Sequence, residues 1–374
     1  MYIENAANCL APTTAEHVAR ATGDLRMGLP CLLRHAGDRH VAVAVETLGR
    51  DRFAALVARF GTPELVITPE RAWAIMTPAA ASDVAASPVR IRPPENADLD
   101  WYARLTDTQF DKPRGAPVGP LHLIRVGDTT ARRLALKLVK NAELLPAALL
   151  FTVAADDTLA DLALSPLNAH GALQQLEKEP AHVPIAAAAL PLEAHDTSRL
   201  HVFRDPDGRT EHYAVEIGYP DRAKPVLSRL HSACFTGDVL GSRKCDCGPQ
   251  LQAALTRMGE EGAGVLLYLN QEGRGIGLAN KMRVYDLQSQ GLDTVEANHR
   301  LGFEDDERDF RVGANMLRAL GFSAVRLLTN NPAKVETFKA SGINIVEQLP
   351  LRVARNVHND NYLTIKALKS GHLL

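Results

Sequence analysis

The stretch "CFTGDVLGSRKCDC", Cys234 to Cys247, places three of the chain's five cysteines on a single short segment. Any fold of this chain must decide what those thiols do. An odd total and tight clustering favour metal ligation over disulfides in a reducing compartment. Cys-x-Cys at a strand-to-helix turn aims two sulfurs at one ion, and Cys234 reaches it from the preceding loop. No other cysteine follows residue 31. Three protein ligands leave a fourth position for water or substrate, the usual form of a catalytic zinc site. In the competing arrangement His231 is a fourth ligand and the site is closed and structural. Spacing alone leaves both open. Cys9 and Cys31 stand apart and read as small buried hydrophobes.

The chain has 374 residues, enough for two or three domains. With 46% apolar and 23% charged residues it can bury proper cores. A formal net charge of −2 gives no long-range attraction to nucleic acid or anionic membrane, so neither is expected as a partner. Bound anions must be held by local Arg and Lys. No apolar run approaches the roughly 20 residues of a membrane span. "PAALLFTVAA" reads as a buried strand or helix. The start, "MYIENAANCLAPTT", lacks a basic region followed by an apolar run. A soluble cytoplasmic protein is expected.

Periodicity predicts alternating α and β in the first half. Thr13 and Glu16 form a capping box ahead of a helix. "PCLLRH", "HVAVAVE" and "PELVITP" read as strands, and "RFAALVARFG" as a helix closed by Gly61. Ser82–Asn96 reads as a surface loop. "TTARRLALKLVKNAELLPAALLFTV" reads as helix, turn and buried strand. The mixed run "LEKEPAHVPIAAAALPLEAHDTS" marks a domain boundary, set at 185/186. Beyond it, two strands flank Asp-Pro-Asp-Gly as a hairpin. "KPVLSRLH", "GVLLYLN", "AVRLLTN" and "INIVEQL" read as strands. They alternate with the helical segments "PQLQAALTRMGEEG", "ANKMRVYDLQSQG", "DFRVGANMLRALG" and "PAKVETFKASG". The expected fold is α/β (α+β): two domains, 1–185 and 186–374, each a mixed sheet packed with helices.

Several side chains beyond the cysteines suit an anionic ligand. Arg229 and Arg274 are placed for bidentate phosphate contacts, and Lys334 lies in the first turn of a helix, where free N–H groups favour anions. "GRGIG" by itself lacks the full dinucleotide fingerprint. "FEDDERDF" reads as an acidic turn ahead of a helix. Tyr285 lies on a helix, where an aromatic is more often core than catalyst.

Taken in order, "RLHSACFTGDVLGSRKCDCGPQL", "LNQEGRGIGLANK", "DTVEANHRLGFEDDERDF" and "LLTNNPAKVE" resemble GTP cyclohydrolase II, an enzyme family of riboflavin synthesis. The likeness runs from about residue 190 to the end. It implies a catalytic Zn²⁺ on Cys234, Cys245 and Cys247, one per catalytic domain, with Mg²⁺ on the triphosphate. It places nucleotide contacts at Arg229, His231, Ser232, Gln250, Glu272, Gly273, Arg274, Thr294, Thr329 and Lys334. Asp306 takes proton transfer, and Tyr285 helps activate water for formate release. Arg308 is a nucleophile in the family scheme. Its near-permanent protonation suits stabilisation of departing pyrophosphate better. The implied products are 2,5-diamino-6-ribosylamino-4(3H)-pyrimidinone 5′-phosphate, formate and pyrophosphate, from a homodimer. Two other readings are a nucleotide-binding regulator with structural zinc and a ring-opening hydrolase for another nucleotide. Ala233 and Lys244 stand where Glu and Arg are commoner in the family.

The first half resembles, more faintly, 3,4-dihydroxy-2-butanone 4-phosphate synthase through "ATGDLRMGLPCLLRHAGDRHVAVAVE" and "IRVGDTTARRLALKLVKNAELLPAALLFTV". "RHAGDRH" replaces the acidic metal-binding loop, and Asp128 replaces a metal-binding histidine. A related fold without synthase activity is expected.

Overall fold

A computed structural model describes residues 10–76, 88–111, 121–179, 181–205, 208 and 210–354. The chain divides into two compact units. The first holds the described residues up to Lys178 together with Met282–Asp305. The second holds Glu179–Lys281 and the described residues from Asp306 onward. The expected cut at 185/186 differs from this grouping chiefly by the segment 282–305.

In the first unit the strands are β1 Cys31–His35, β2 Asp38–Ala44, β3 Glu64–Ile67, β4 Val89–Arg92, β5 His122–Leu123, β6 Ala147–Thr152 and β7 Pro166–Asn168. Among the described residues up to Lys178, its helices are α1 Thr14–Arg26, α2 Arg50–Phe60, α3 Pro69–Ile75, α4 Leu99–Thr106, α5 Thr130–Asn141 and α6 Ala169–Glu177. The sheet order is β5-β4-β3-β6-β2-β1-β7, antiparallel except for the β1–β7 pair. Ala36 and Gly37, both at positive φ, close the β1–β2 hairpin in the sense that matches strand twist. Strand residues alternate between two cores. Ala42, Ala44, Ala148 and Leu150 face one, with α1, α5 and α6. Val41, Val43, Leu149 and Phe151 face the other, with α2, α3 and α4. Burial on both faces explains why these strands read as unbroken apolar runs. The capping box at Thr13 forms, and Gly61 closes α2.

One sequence expectation needs correction. The segment 82–96 is not all loop, because β4 lies within it and pairs with β3; residues 77–87 are outside the described residues. The run read as the domain boundary contains β8 Val183–Ala189, an edge strand of the second sheet that the sequence reading did not single out. Pro184 is tolerated there because a register shift falls between Pro184 and Ala186 on an edge. All of β8 is exposed, so it carries no burial alternation to betray it.

The other strands of the second unit are β9 Ser198–Arg204, β10 Glu211–Gly218, β11 Val226–Ser232, β12 Ala263–Leu269, β13 Ala324–Leu328 and β14 Asn344–Leu349. The order is β14-β13-β11-β12-β10-β9-β8. β14, β13, β11 and β12 pair in parallel, and the remaining three pair antiparallel. The β9–β10 hairpin forms as expected, while Pro206, Asp207 and Arg209 of its turn lie outside the described residues. The helices along this half of the chain are α7 Cys247–Glu261, α8 Leu278–Ser289, α9 Thr294–Leu301, α10 Arg311–Ala319 and α11 Pro332–Ala340. α9 falls in the segment grouped with the first unit.

The link from β11 to β12 runs through α7, whose Ala254 and Met258 pack with Leu227 and Leu266. The link from β13 to β14 runs through α11, whose Val335 and Phe338 pack in the opposite core. Adjacent strands β11 and β13 thus send their connections to opposite faces. Such a switch point, at the strands' carboxyl ends, is the general ligand site of such sheets. No described helix is long and apolar enough to cross a membrane.

α10 approaches β11 closely at Gly313, where an added Cβ would collide with Leu230 Cδ1. Gly313→Ala is expected to cost about 1–3 kcal/mol through overpacking. A lowered denaturant midpoint with unchanged slope checks this, and an unchanged midpoint refutes it.

Candidate active site

β11 ends at Ser232, and the Ala233 N–H donates to Leu269 O (2.7 Å), which ties the two parallel strands together just before Cys234. Cys234 O then accepts from the N–H groups of Gly237 (3.0 Å) and Asp238 (2.7 Å), folding the cysteine loop into one wide turn. Cys245 and Cys247 sit at the start of α7. Cys234 Sγ lies 3.7 Å from Cys245 Sγ, and all three sulfurs lie within 4.8 Å of one another. Gly237 is wedged among them. A Cβ there would stand 2.8 Å from Cys245 Sγ and 3.0 Å from Cys234 Sγ, so only glycine fits.

The sulfurs share charge. Hydrogen bonds from Cys245 and Cys247, aided by Lys281, hold the Cys234 thiol well below its ordinary range. The same bonds push Cys245 up to about 11 and raise Cys247 as well. The cluster by itself is one thiolate solvated by two thiols, and a bound cation would ionise all three. Lys281 Nζ donates to Cys234 Sγ (3.0 Å), Thr236 Oγ1 (3.0 Å) and Glu272 Oε1 (2.8 Å). Glu272 Oε2 accepts from Phe235 N–H (2.6 Å). A lysine–carboxylate pair therefore braces the cysteine loop against the segment after β12.

His231 is buried, its ring stacked on Tyr268 at 5.5 Å. Its Nε2 lies 3.1 Å from both carboxylate oxygens of Asp238, and burial lowers its pKa. Asp238 Oδ2 also accepts from Tyr268 Oη and from Cys234 N–H, each at 3.0 Å. His231 Nε2 is thus committed beneath the loop, and His231 is not among the residues whose ligand atoms converge.

Arg229 is buried, which drags its pKa down to about 10. Its Nη1 donates to Leu328 O (3.0 Å) and its Nη2 to Gln250 Oε1. Gln250 in turn donates to Asp246, between the two cysteines. Arg229 Nε has no hydrogen-bond partner among the described residues. Lys334, in the first turn of α11, donates to Leu230 O (2.7 Å) and lies 5.3 Å from the centre of the Phe310 ring. Thr329 Oγ1 accepts from Asn331 N–H (3.1 Å) at the end of β13.

Arg308 grips Asp306 through two bonds, Nε to Oδ1 (2.7 Å) and Nη2 to Oδ2 (2.5 Å), and donates from Nη1 to Ser232 Oγ (3.2 Å). Its guanidinium sits 4.8 Å over Phe310. Burial alone would raise the Asp306 pKa, but the Arg308 bonds outweigh it and lower it. Gly273 and Arg274 both take left-handed backbone (φ 63° and 65°), a strained turn that non-glycine residues seldom adopt. Arg274 O accepts from Glu307 N–H (3.0 Å), which ties that turn to the Asp306 loop.

Most of the sequence-predicted residues therefore gather in the second unit. Tyr285 and Thr294 are in the segment grouped with the first. Thr294 begins α9 and accepts from Gln288 Nε2 (2.9 Å). Sequence reading missed Asp238, Asp246, Lys281, Tyr268 and Phe310. Lys281 and Tyr268 act through contacts distant in sequence, whereas Asp238 and Asp246 also bond residues only four to seven positions away, and Asp246 was visible as the centre of Cys-x-Cys. It also missed His182, Asp205 and His212, whose ligand atoms converge. There the Asn270 N–H donates to His212 Nδ1 (3.0 Å), which leaves the ring proton on Nε2, facing Asp205 at 3.3 Å. That tautomer suits a hydrogen-bond latch just ahead of Glu272 rather than a metal.

A sequence profile described as GTP cyclohydrolase II matches residues 184–350. A protein of Azospirillum brasilense called GTP cyclohydrolase-2 is 39% identical over 368 residues, covering 95% of this chain and 93% of its own length. One of the same name from Neisseria gonorrhoeae is 52% identical over 190 residues, 51% of this chain and 95% of that protein. Among solved structures, a two-domain 3,4-dihydroxy-2-butanone 4-phosphate synthase from A. baumannii aligns with TM-score 0.33 and 15% identity, covering 90% of this chain and 99% of that one. The near-full-length match to the Azospirillum protein, with the profile falling over the cysteine cluster, makes the chain a member of the GTP cyclohydrolase II family, the enzymes that hydrolyse GTP in riboflavin biosynthesis.

Proposed function

We propose that this chain hydrolyses GTP to 2,5-diamino-6-ribosylamino-4(3H)-pyrimidinone 5′-phosphate, formate and pyrophosphate, using Zn²⁺ on Cys234, Cys245 and Cys247 and Mg²⁺ on the triphosphate. The convergence of three sulfurs beside buried cations at the carboxyl ends of parallel strands carries the reading. Thiolates on a tetrahedral zinc at about 2.3 Å stand roughly 3.8 Å apart. The observed 3.7 Å between Cys234 and Cys245 fits that spacing, and the soft donor set suits the ion. When bound, zinc supplies a Lewis acid and a water acidified toward neutral pH.

The chain's own residues do the rest. Lys281 offsets part of the negative charge of three thiolates, which would otherwise weaken that acidification. Arg229, Lys334, Ser232 and Thr329 line the ends of β11 and β13 and take the phosphates, with Arg274 and the Gly273 turn. His231, Gln250, Glu272 and Thr294 complete the nucleotide contacts. Arg308 acts as a charge stabiliser. A guanidinium that donates two bonds to a carboxylate is protonated and has no lone pair to attack phosphorus. When Arg308 turns to the phosphates it releases Asp306, whose basicity then rises as its cationic partner leaves, and the carboxylate can take up a proton. Tyr285 orients the attacking water for formate release. The enzyme works in the cytoplasm as a homodimer.

The first half is proposed to retain a synthase-like fold without synthase chemistry. Asp128, at the position expected of a metal-binding histidine, instead accepts from Thr130 N–H (2.8 Å) at the start of α5. It also lies 3.4 Å from His35 Nε2. The full chain should leave ribulose 5-phosphate unconverted, and any dihydroxybutanone phosphate formed refutes this.

Incubating the zinc-loaded chain with GTP and Mg²⁺ should release formate and pyrophosphate together. Absence of formate from folded, zinc-loaded protein sinks the main reading. Cys245→Ser should lose zinc and formate release while keeping its secondary structure. Global unfolding would instead favour a structural metal. Because Cys245 and Cys247 both hold protons in the metal-free cluster, binding must expel about two. Zinc affinity is therefore expected to fall by roughly a hundredfold per unit as pH drops from about 8 to about 6. A pH-independent affinity in competition titrations would contradict this.

A further inference from the structure

Within the first unit, the segment 282–305 rests on residues from the other end of the chain. α9 ends at Gly302, with φ of 92°. The last carbonyls of a helix lack partners within it and need donors from elsewhere. Here Arg300 O accepts from Arg71 Nη1 (2.7 Å) and Gly302 O from Thr68 Oγ1 (2.8 Å). Thr68 is also the N-cap of α3, accepting from Arg71 N–H (3.3 Å), so one helix start is stitched to another helix's end.

Arg71 is 1% exposed and spends its remaining donors inside the unit, Nε on Leu105 O and both terminal nitrogens on Asp111 (2.8 and 2.9 Å). Asp111 also accepts from Arg300 Nε (2.7 Å). Two guanidinium groups against one carboxylate leave net positive charge at the C-terminal end of α9, where the helix dipole favours it. A second tie joins Arg283 to Glu46 at 2.7 Å. The fit is close, since a Cβ on Gly302 would stand 2.8 Å from Thr68 Oγ1 and 3.1 Å from Arg71 Cβ. A buried ion network of this kind adds little net stability, because desolvation cancels most of the Coulomb gain. What it does supply is a single geometry.

We infer that the N-terminal half positions the segment 282–305 for the reaction, with Thr68, Arg71 and Asp111 as positioning residues that cap and hold α9. The inference rests on the reading above, which assigns Tyr285 and Thr294, both on this segment, to the reaction. It also gives the first half a task that needs no synthase chemistry.

The test uses the full chain loaded with zinc, comparing wild type with Thr68→Val and Arg71→Gln by hydrogen exchange and formate release. Amides of residues 294–303 should exchange about tenfold faster in both variants, while those of β11 and β12 keep their protection. Zinc content should not change, and kcat for formate should fall about fivefold or more, as loosened positioning predicts. Should Arg71→Gln not fold, the near-isosteric Thr68→Val decides. Unchanged exchange over 294–303, or faster exchange with unaltered turnover, overturns the inference. Wild-type chain that holds zinc yet releases no formate overturns the functional reading instead, and the exchange comparison still decides whether the capping exists.

Discussion

The parallel pairing of β11 between β12 and β13 is the constraint on which the second unit depends. It buries β11 on both faces and both edges, so Arg229 and His231 enter the interior whatever their charge would prefer. Every polar atom on that strand then needs a partner. Arg229 finds Leu328 O and Gln250, and His231 finds Asp238. The same pairing brings the ends of three strands to one edge, where the cysteine loop, the Gly273 turn and the first turn of α11 begin.

Asp238 ties this frame to the cysteine cluster. Its carboxylate accepts from a side chain on β11, a side chain on β12 and the backbone N–H of Cys234. One buried carboxylate with three donors is well satisfied and holds the loop in a single arrangement. Glu272 and Lys281 do the same work from the other side of the sulfurs. A missing carboxylate at Ala233 leaves this bracing intact, because position 233 contributes its backbone N–H to Leu269 and not its side chain.

Much of the architecture was legible in the chain. The strands with unbroken apolar runs, the capping box at Thr13 and Pro332 at the start of α11 all form as read. β4 and β8 were not legible. β4 follows a run of Ala, Ser and Pro, and β8 is an exposed edge strand of Val, Pro, Ile and Ala. β4 does alternate apolar and polar residues, but over only four positions, and β8 shows no alternation at all because its pairing comes from a neighbour already in the sheet.

At the site, residue types and spacing by themselves singled out the three cysteines as one candidate metal-ligating cluster, and their sulfurs do converge. The sequence likewise picked out the Arg and Lys proposed above for the phosphates. Only the tertiary structure decided that His231 turns its Nε2 to Asp238, that Lys281 touches Cys234, and that Asp306 and Arg308 hold each other. It alone placed 282–305 on Thr68, Arg71 and Asp111, residues nearly two hundred or more positions away. The physical reason is common to all of these. Hydrogen-bond partners of buried charges are chosen by the directions in which packed elements leave them, and those directions exist only after the sheets and helices have assembled.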